Sequence, residues 1–183
     1  LDDLNKPYRG WKATFFEGGT RVPFFMQLPG VIAPGSQFTA PVSHFDIFAT
    51  SAALAGVQPP ADRVIDGVNL IPFARGEQGG RPHEQMFWRS GAYQVARSGD
   101  WKLQVNETQD KVWLFNLKDD PTEQHNLVDA EPTRVKELLA QLAEFNSQQK
   151  APLWPSLVEA PILIDKPLNR PQTADDEFIY WSN

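Results

Sequence analysis

A lysine, a glutamate and an arginine stand five and four residues apart in the run Gly10-Trp11-Lys12-Ala13-Thr14-Phe15-Phe16-Glu17-Gly18-Gly19-Thr20-Arg21-Val22-Pro23. An ammonium on a short loop is a mobile point charge suited to a tetrahedral oxyanion, and a guanidinium can grip a carboxylate with two parallel hydrogen bonds. Lys12 is therefore the candidate for touching an anionic group, with Glu17 and Arg21 as candidates for orienting the loop around it. Gly18-Gly19 lets the backbone turn tightly or approach a neighbour with no Cβ in the way. Spacing alone also fits a Gly-Gly turn carrying surface charges, because short motifs match by chance.

The elements that must position this loop can be read along the chain. Val22 to Leu28 is apolar nearly throughout and predicts a strand covered on both faces, ended by Pro29-Gly30. Ser43 followed by Asp46 reads as a capping box, and Gly56 as the stop of a helix that turns Phe45, Phe48, Ala52 and Ala55 to the core, with Ile47, Ser51 and Leu54 beside them. Residues 57–80, rich in Pro and Gly, form a long connection of the kind that crosses between units. Four strand-like runs follow, Gln85–Arg89, Tyr93–Ser98, Trp101–Asn106 and Val112–Asn116, separated by hairpin-length breaks and so predicting an antiparallel meander. In the third, Trp101, Leu103 and Val105 alternate with Lys102, Gln104 and Asn106, which predicts one dry face and one wet face. Pro132 and the helical spacing of Val135, Leu138, Leu139, Leu142 and Phe145 predict a helix laid across the dry face. Prolines at 152, 155, 161, 167 and 171 predict an extended, irregular tail whose apolar residues wrap it along the body.

The fold class expected is α/β: the last strand and helix of an α/β domain, then a small α+β subdomain of about four antiparallel strands with one packed helix. The corresponding divisions are 1–80, 81–150 and a Pro-rich tail at 151–183. A formal charge of −6 over 183 residues, with no basic stripe, argues against a nucleic-acid partner. The apolar runs are too short to span a membrane. There is no cysteine, hence no disulfide or thiolate metal site. His44 sits one residue inside the capping box, where a structural role is commoner than catalysis, and His83 and His125 lie in polar loops with no carboxylate or second histidine at ligand spacing, so none receives a role. Trp88, Tyr93, Trp101 and Trp113 suit either an aromatic platform for a sugar or aryl group or a core. Asn106-Glu107-Thr108 matches a glycosylation sequon.

The run Arg9 to Pro23 resembles the Gly-x-Lys-x-Thr-x-x-Glu-Gly-Gly-x-Arg-x-Pro signature of the sulfatase family, within the alkaline phosphatase superfamily. Leu28-Pro29-Gly30 through Gly35, Val42 to Gly56, Asp66-Gly67-Val68-Asn69-Leu70, and Arg97 to Leu103 with Leu114 to Leu127 agree in the same order. The resemblance implies an alkaline-phosphatase-like domain, a sulfuric ester hydrolase of arylsulfatase type, and contact of Lys12 with the sulfate group. It further implies a formylglycine nucleophile made from Cys or Ser in a Cys/Ser-x-Pro-x-Arg motif, a divalent metal, usually calcium, and a periplasmic or secreted location.

Neither that motif nor an Asp-Asn-Gly metal-ligand motif occurs here, and the order of Asp2, Asp3 and Asn5 does not fit a hard-cation site. The expectation is the C-terminal portion of a longer enzyme, inactive alone, with the N-terminal portion of the same enzyme as its partner and a sulfated small molecule or glycan as substrate. A phosphatase or phosphonate monoester hydrolase of the same superfamily, and a non-catalytic binding domain, remain open, as does a homo-oligomer.

Overall fold

The β-rich run folds as its alternation dictates: β1 (Gln85–Ser90), β2 (Tyr93–Ser98), β3 (Trp101–Asn106) and β4 (Lys111–Asn116) form one sheet in sequence order, each pair antiparallel. The register sets Ala96, Leu103 and Leu114 on one face and Val95, Gln104 and Trp113 on the other. The computed structural model describes residues 5–154 and 156–182. Within it the chain forms two compact units, one of residues up to Pro23 together with those from Gln85 onward, the other of Phe24–Glu84. The motif loop thus belongs to the same unit as the meander.

Two cores sandwich the sheet. On one face α4 (Pro132–Ser147) buries Leu138 and Leu142 against Ala96, Leu103 and Leu114, and Phe145 stacks on Phe87 with ring centroids 4.4 Å apart. This is the helix and the dry face that the apolar spacing predicts. The other face is not wet. Lys102, Gln104 and Asn106 are each fully buried, because the motif loop and the tail cover them. Phe16, Tyr93, Val95, Trp113, Phe115, Ile162, Ile164 and Ile179 make the core around them.

The tail is not irregular throughout. β5 (Glu159–Leu163) and β6 (Phe178–Ser182) pair antiparallel, with Ile162 opposite Ile179. Pro161 is tolerated because a two-stranded ribbon leaves each strand an unpaired edge. Ile164 and Ile179, both fully buried, carry the apolar surface that fastens the ribbon to the sheet.

In the unit Phe24–Glu84, α2 (Asp46–Leu54) and the single turn α3 (Ile71–Ala74) are the helices. Residues 22–28 carry no strand, and Phe25 is 91% exposed, because a strand requires a partner and none of the described residues pairs with this run. The face of α2 that the apolar pattern turns inward is also outside: Ile47, Phe48 and Leu54 are exposed, while Asp46, Ala49 and Thr50 are buried. The polar side chains go in because backbone groups need them. Asp46 accepts from the N–H groups of Ser43 (2.8 Å) and Val68 (2.9 Å), and Thr50 Oγ1 accepts from that of Leu70 (3.0 Å). The bond to Ser43 joins the two residues of the expected capping box, but the helix begins at Asp46 itself with Phe45 as its N-cap, and Gly56 closes it with φ 68°.

Candidate functional site

The motif loop leads into one helical turn, α1 (Glu17–Thr20). Its two glycines are not there for unusual dihedrals. A Cβ on Gly18 would lie 2.3 Å from the Gly10 carbonyl oxygen, and one on Gly19 would lie 2.0 Å from that of Thr14. The loop therefore closes on itself backbone to backbone, and the Gly18 N–H donates to the Arg9 carbonyl at 2.7 Å. Thr14 adds a local clamp, its hydroxyl accepting from the Trp11 N–H and donating to the Trp11 carbonyl.

Outward from that knot the anchors reach the sheet, the tail and Glu123 in the connection between β4 and α4. Trp11 Nε1 donates to the Leu163 carbonyl at 2.8 Å. The Phe15 N–H donates to the Tyr93 hydroxyl at 3.0 Å, and the two rings stack at 4.8 Å. Phe16 is fully buried against Trp113 and Phe115. Arg9 grips Asp165 with Nε and Nη2, donates to Glu177 at 2.6 Å and lies over the Phe16 ring, tying the segment between β5 and β6 to the loop. From Tyr8 to Thr20 the exposed residue is Lys12 and no other.

Glu17 points the opposite way. Its carboxylate accepts from Lys102 Nζ at 2.8 Å, and the same ammonium lies 3.0 Å from Glu123 Oε1. The Glu17 N–H donates to Glu123 Oε2, Gln104 Nε2 donates to Glu123 Oε1 at 3.1 Å, and the Tyr93 hydroxyl donates to Gln104 Oε1. All of these side chains are buried. Burial pulls the Glu17 carboxyl upward, but the Lys102 charge and hydrogen bond, with Arg97 and Arg21 behind them, hold it below the ordinary glutamate range. For Glu123 burial outweighs the same ammonium and its pKa is raised. Burial likewise holds the Tyr93 phenol well above its ordinary value, so it remains a neutral donor.

Of the three site residues expected from the spacing, the structure brings Glu17 and Arg21 within 3.9 Å of each other and leaves Lys12 apart. Arg21, half exposed, also covers the Tyr8 ring. Lys12 makes no hydrogen bond or ion pair among the described residues. A cleft of about 450 Å³ opens beside the residues that precede it, with Asn5, Tyr8, Trp11, Gln124 and Asp165 on its walls; Lys12 does not line it. The pattern of the chain marks none of Lys102, Glu123 and Gln104 as a partner of the motif loop, and it offers Tyr93 for its ring rather than for its hydroxyl. For Lys102 and Gln104 the signal was the polar alternation of β3, which reads identically for a solvated face.

The remaining candidates resolve simply. His83 does have a carboxylate partner, Asp46, at 2.8 Å, but the two are 37 residues apart and no short-range spacing could show it. His125 is exposed beside Asp120. Tyr93 and Trp113 are core and Trp101 lies on the opposite face with Arg134 over its ring, so the aromatic residues form no platform. Asn106 is fully buried and donates to the Tyr180 carbonyl, which closes the sequon to modification in the folded chain. Asp2 and Asp3 lie outside the described residues. Among the described residues no group of three or more His, Asp or Glu side chains could hold a metal, and no described helix is long and apolar enough to cross a membrane.

The chain is 41% identical over 117 residues to the steryl-sulfatase of Rattus norvegicus, covering 64% of this chain and 20% of that protein. Against the sulfatase YdeN of Escherichia coli K12 it is 25% identical over 188 residues, covering 82% and 33%. The solved structure of Ps i-CgsB superposes with a TM-score of 0.71 at 27% identity, over 82% of this chain and 34% of that one. The chain thus spans between a fifth and about a third of the length of these relatives. Residues 9–151, from Arg9 through the meander and past the end of α4, match the family described as N-sulphoglucosamine sulphohydrolase, C-terminal, and the chain belongs to that sulfatase family.

Proposed function

We propose that this chain is the C-terminal part of a sulfuric ester hydrolase and that Lys12 is its contribution to the reacting centre. The observation that carries the reading is the solitary exposure of Lys12 on a loop whose every neighbour is tied down. A side chain free to meet a ligand, on a backbone that is not free to move, is the arrangement that stabilises developing charge without reorganisation. In this role the ammonium faces the non-bridging or leaving oxygens of the ester and offsets the negative charge that grows there as the S–O bond breaks.

The residues present do not furnish the rest. No Cys/Ser-x-Pro-x-Arg sequence occurs, and the described residues offer no metal cluster. A formylglycine nucleophile and a divalent metal, calcium in the resemblance, would be furnished by polypeptide beyond this chain, and the chain alone would be inactive. The substrate class, a sulfated small molecule or glycan, is supported by the names of relatives such as the mouse N-acetylgalactosamine-6-sulfatase and by the solved complex of Ps i-CgsB with k-i-k-neocarrahexaose.

The test is Lys12→Ala in the full-length enzyme, assayed on 4-nitrophenyl sulfate beside 4-nitrophenyl phosphate. Loss of one such charge-stabilising donor lowers kcat by about 10²–10³-fold. Unchanged kcat would remove Lys12 from the site, and a faster phosphate reaction would overturn the choice of sulfate.

A further inference from the structure

The polar stripe of β3 is expensive. Two carboxylates and one ammonium have been taken out of water, and such a cluster is often no more stabilising than apolar side chains of the same volume. Glu123 adds to the cost, since it holds φ at 57°, a left-handed conformation uncommon for residues other than glycine. Asn106 donates to the Tyr180 carbonyl of β6, but the partners of Lys102 and Gln104 belong to the motif loop or lead directly to it. Glu123 receives the Glu17 N–H on its carboxylate and Arg9 Nη1 on its carbonyl. Lys102 donates to the Glu17 carboxylate. Tyr93, itself bonded to Gln104, receives the Phe15 N–H.

Apolar packing alone would tolerate small slips of this loop along the sheet. Directed hydrogen bonds do not, because a buried donor shifted from its acceptor loses the bond with no water to replace it. The bonds fall three and five residues after Lys12, and the Trp11 indole bond falls one before.

We infer that Lys102, Glu123 and Tyr93 are positioning residues for Lys12: the buried stripe fixes the register of the motif loop on the sheet and thereby the place from which the exposed ammonium acts. The inference rests on the proposed role of Lys12. It makes the meander part of the catalytic apparatus although none of the three side chains touches substrate.

A double-mutant cycle in the full-length enzyme tests it, with 4-nitrophenyl sulfate as substrate. Lys102→Met, by displacing the loop, lowers kcat on the order of 10²-fold. Tyr93→Phe, which removes one hydroxyl and keeps the ring packing, lowers it about tenfold. In the Lys12→Ala background each has an effect within about twofold, because the group they position is gone. Tyr93→Phe also accelerates hydrogen exchange at the Phe15 amide while the protein remains folded, so the test survives if Lys102→Met does not fold. Equal losses with and without Lys12 would assign the stripe to general stability and overturn the inference alone. An active Lys12→Ala enzyme would overturn the role of Lys12 and the inference with it.

Discussion

Replacing Lys102 by methionine keeps the volume of the side chain and removes one charge from a site that holds three. Its ammonium lies 2.8 Å from Glu17 and 3.0 Å from Glu123, with the three side chains 1%, 6% and 0% exposed. Breaking a buried pair in this way costs about 3–5 kcal/mol, since the carboxylates stay behind without compensation. The cost depends on pH with a definite sign. In the intact site Glu17 is held below its ordinary value, so its stabilisation is present above that value and disappears as pH falls. Without Lys102 that contribution is gone, and Glu123, already raised by burial, is raised further. A raised carboxyl penalises the folded state only above the unfolded pKa, by about 1.4 kcal/mol per pH unit until the folded pKa is reached. Both effects make the loss larger at pH 8 than at pH 5, where one protonated carboxyl can donate to the other. Native-state hydrogen exchange on the full-length protein reads the loss locally at the Phe15 and Glu17 amides. Changing both glutamates to glutamine in the same variant should recover about half of it, because no buried charge remains. A loss below about 1 kcal/mol, or one greater at pH 5, would refute the reasoning.

Gly19→Ala introduces a methyl group 2.0 Å from the Thr14 carbonyl oxygen and 2.5 Å from that of Trp11, both backbone atoms that cannot rotate away. The expected cost is about 1–3 kcal/mol, with exchange at the Gly18 amide accelerated, while Ala at the open position Gly79 serves as a neutral control. Asp46→Ala leaves the Ser43 and Val68 N–H groups and His83 without their acceptor. At about 1–3 kcal/mol for each stranded buried group, limited proteolysis should cut the 57–80 connection faster in the variant, and unchanged cleavage would show that Asp46 does not staple it.

The meander and α4 were legible because their pattern is local. Alternation with period two and an apolar stripe with period 3.6 each follow from geometry within one element, and the apolar face of each of those elements has a neighbour inside the chain. Residues 22–28 and the outer face of α2 carry the same kind of pattern without such neighbours among the described residues, and the apolar side chains stand exposed. The ribbon of β5 and β6 was hidden for a different reason. Its strands are separated by a long, Pro-containing segment, and Pro161 contradicts strand propensity at the one place where the unpaired edge makes it harmless. The site divided in the same way. Lys12 is a candidate because of its motif, whereas Lys102 meets Glu17 across 85 residues of sequence and its alternation with Trp101 and Leu103 points to solvent.

That reversal bears on how the loop works. A surface pair such as Arg21 and Glu17, 3.9 Å apart with the arginine half exposed, contributes little, since water screens it and holding two long side chains together costs entropy. If Arg21 were the main partner of Glu17, the loop would be only loosely oriented. Lys102 changes the balance because it approaches from beneath, where no water competes and where the sheet, rather than the loop, sets its position. The lysine and the glutamate of one short motif thus divide the work between the two sides of the same backbone. Glu17 turns inward to a cation of the sheet, and Lys12 is left outward and exposed, as its proposed role requires.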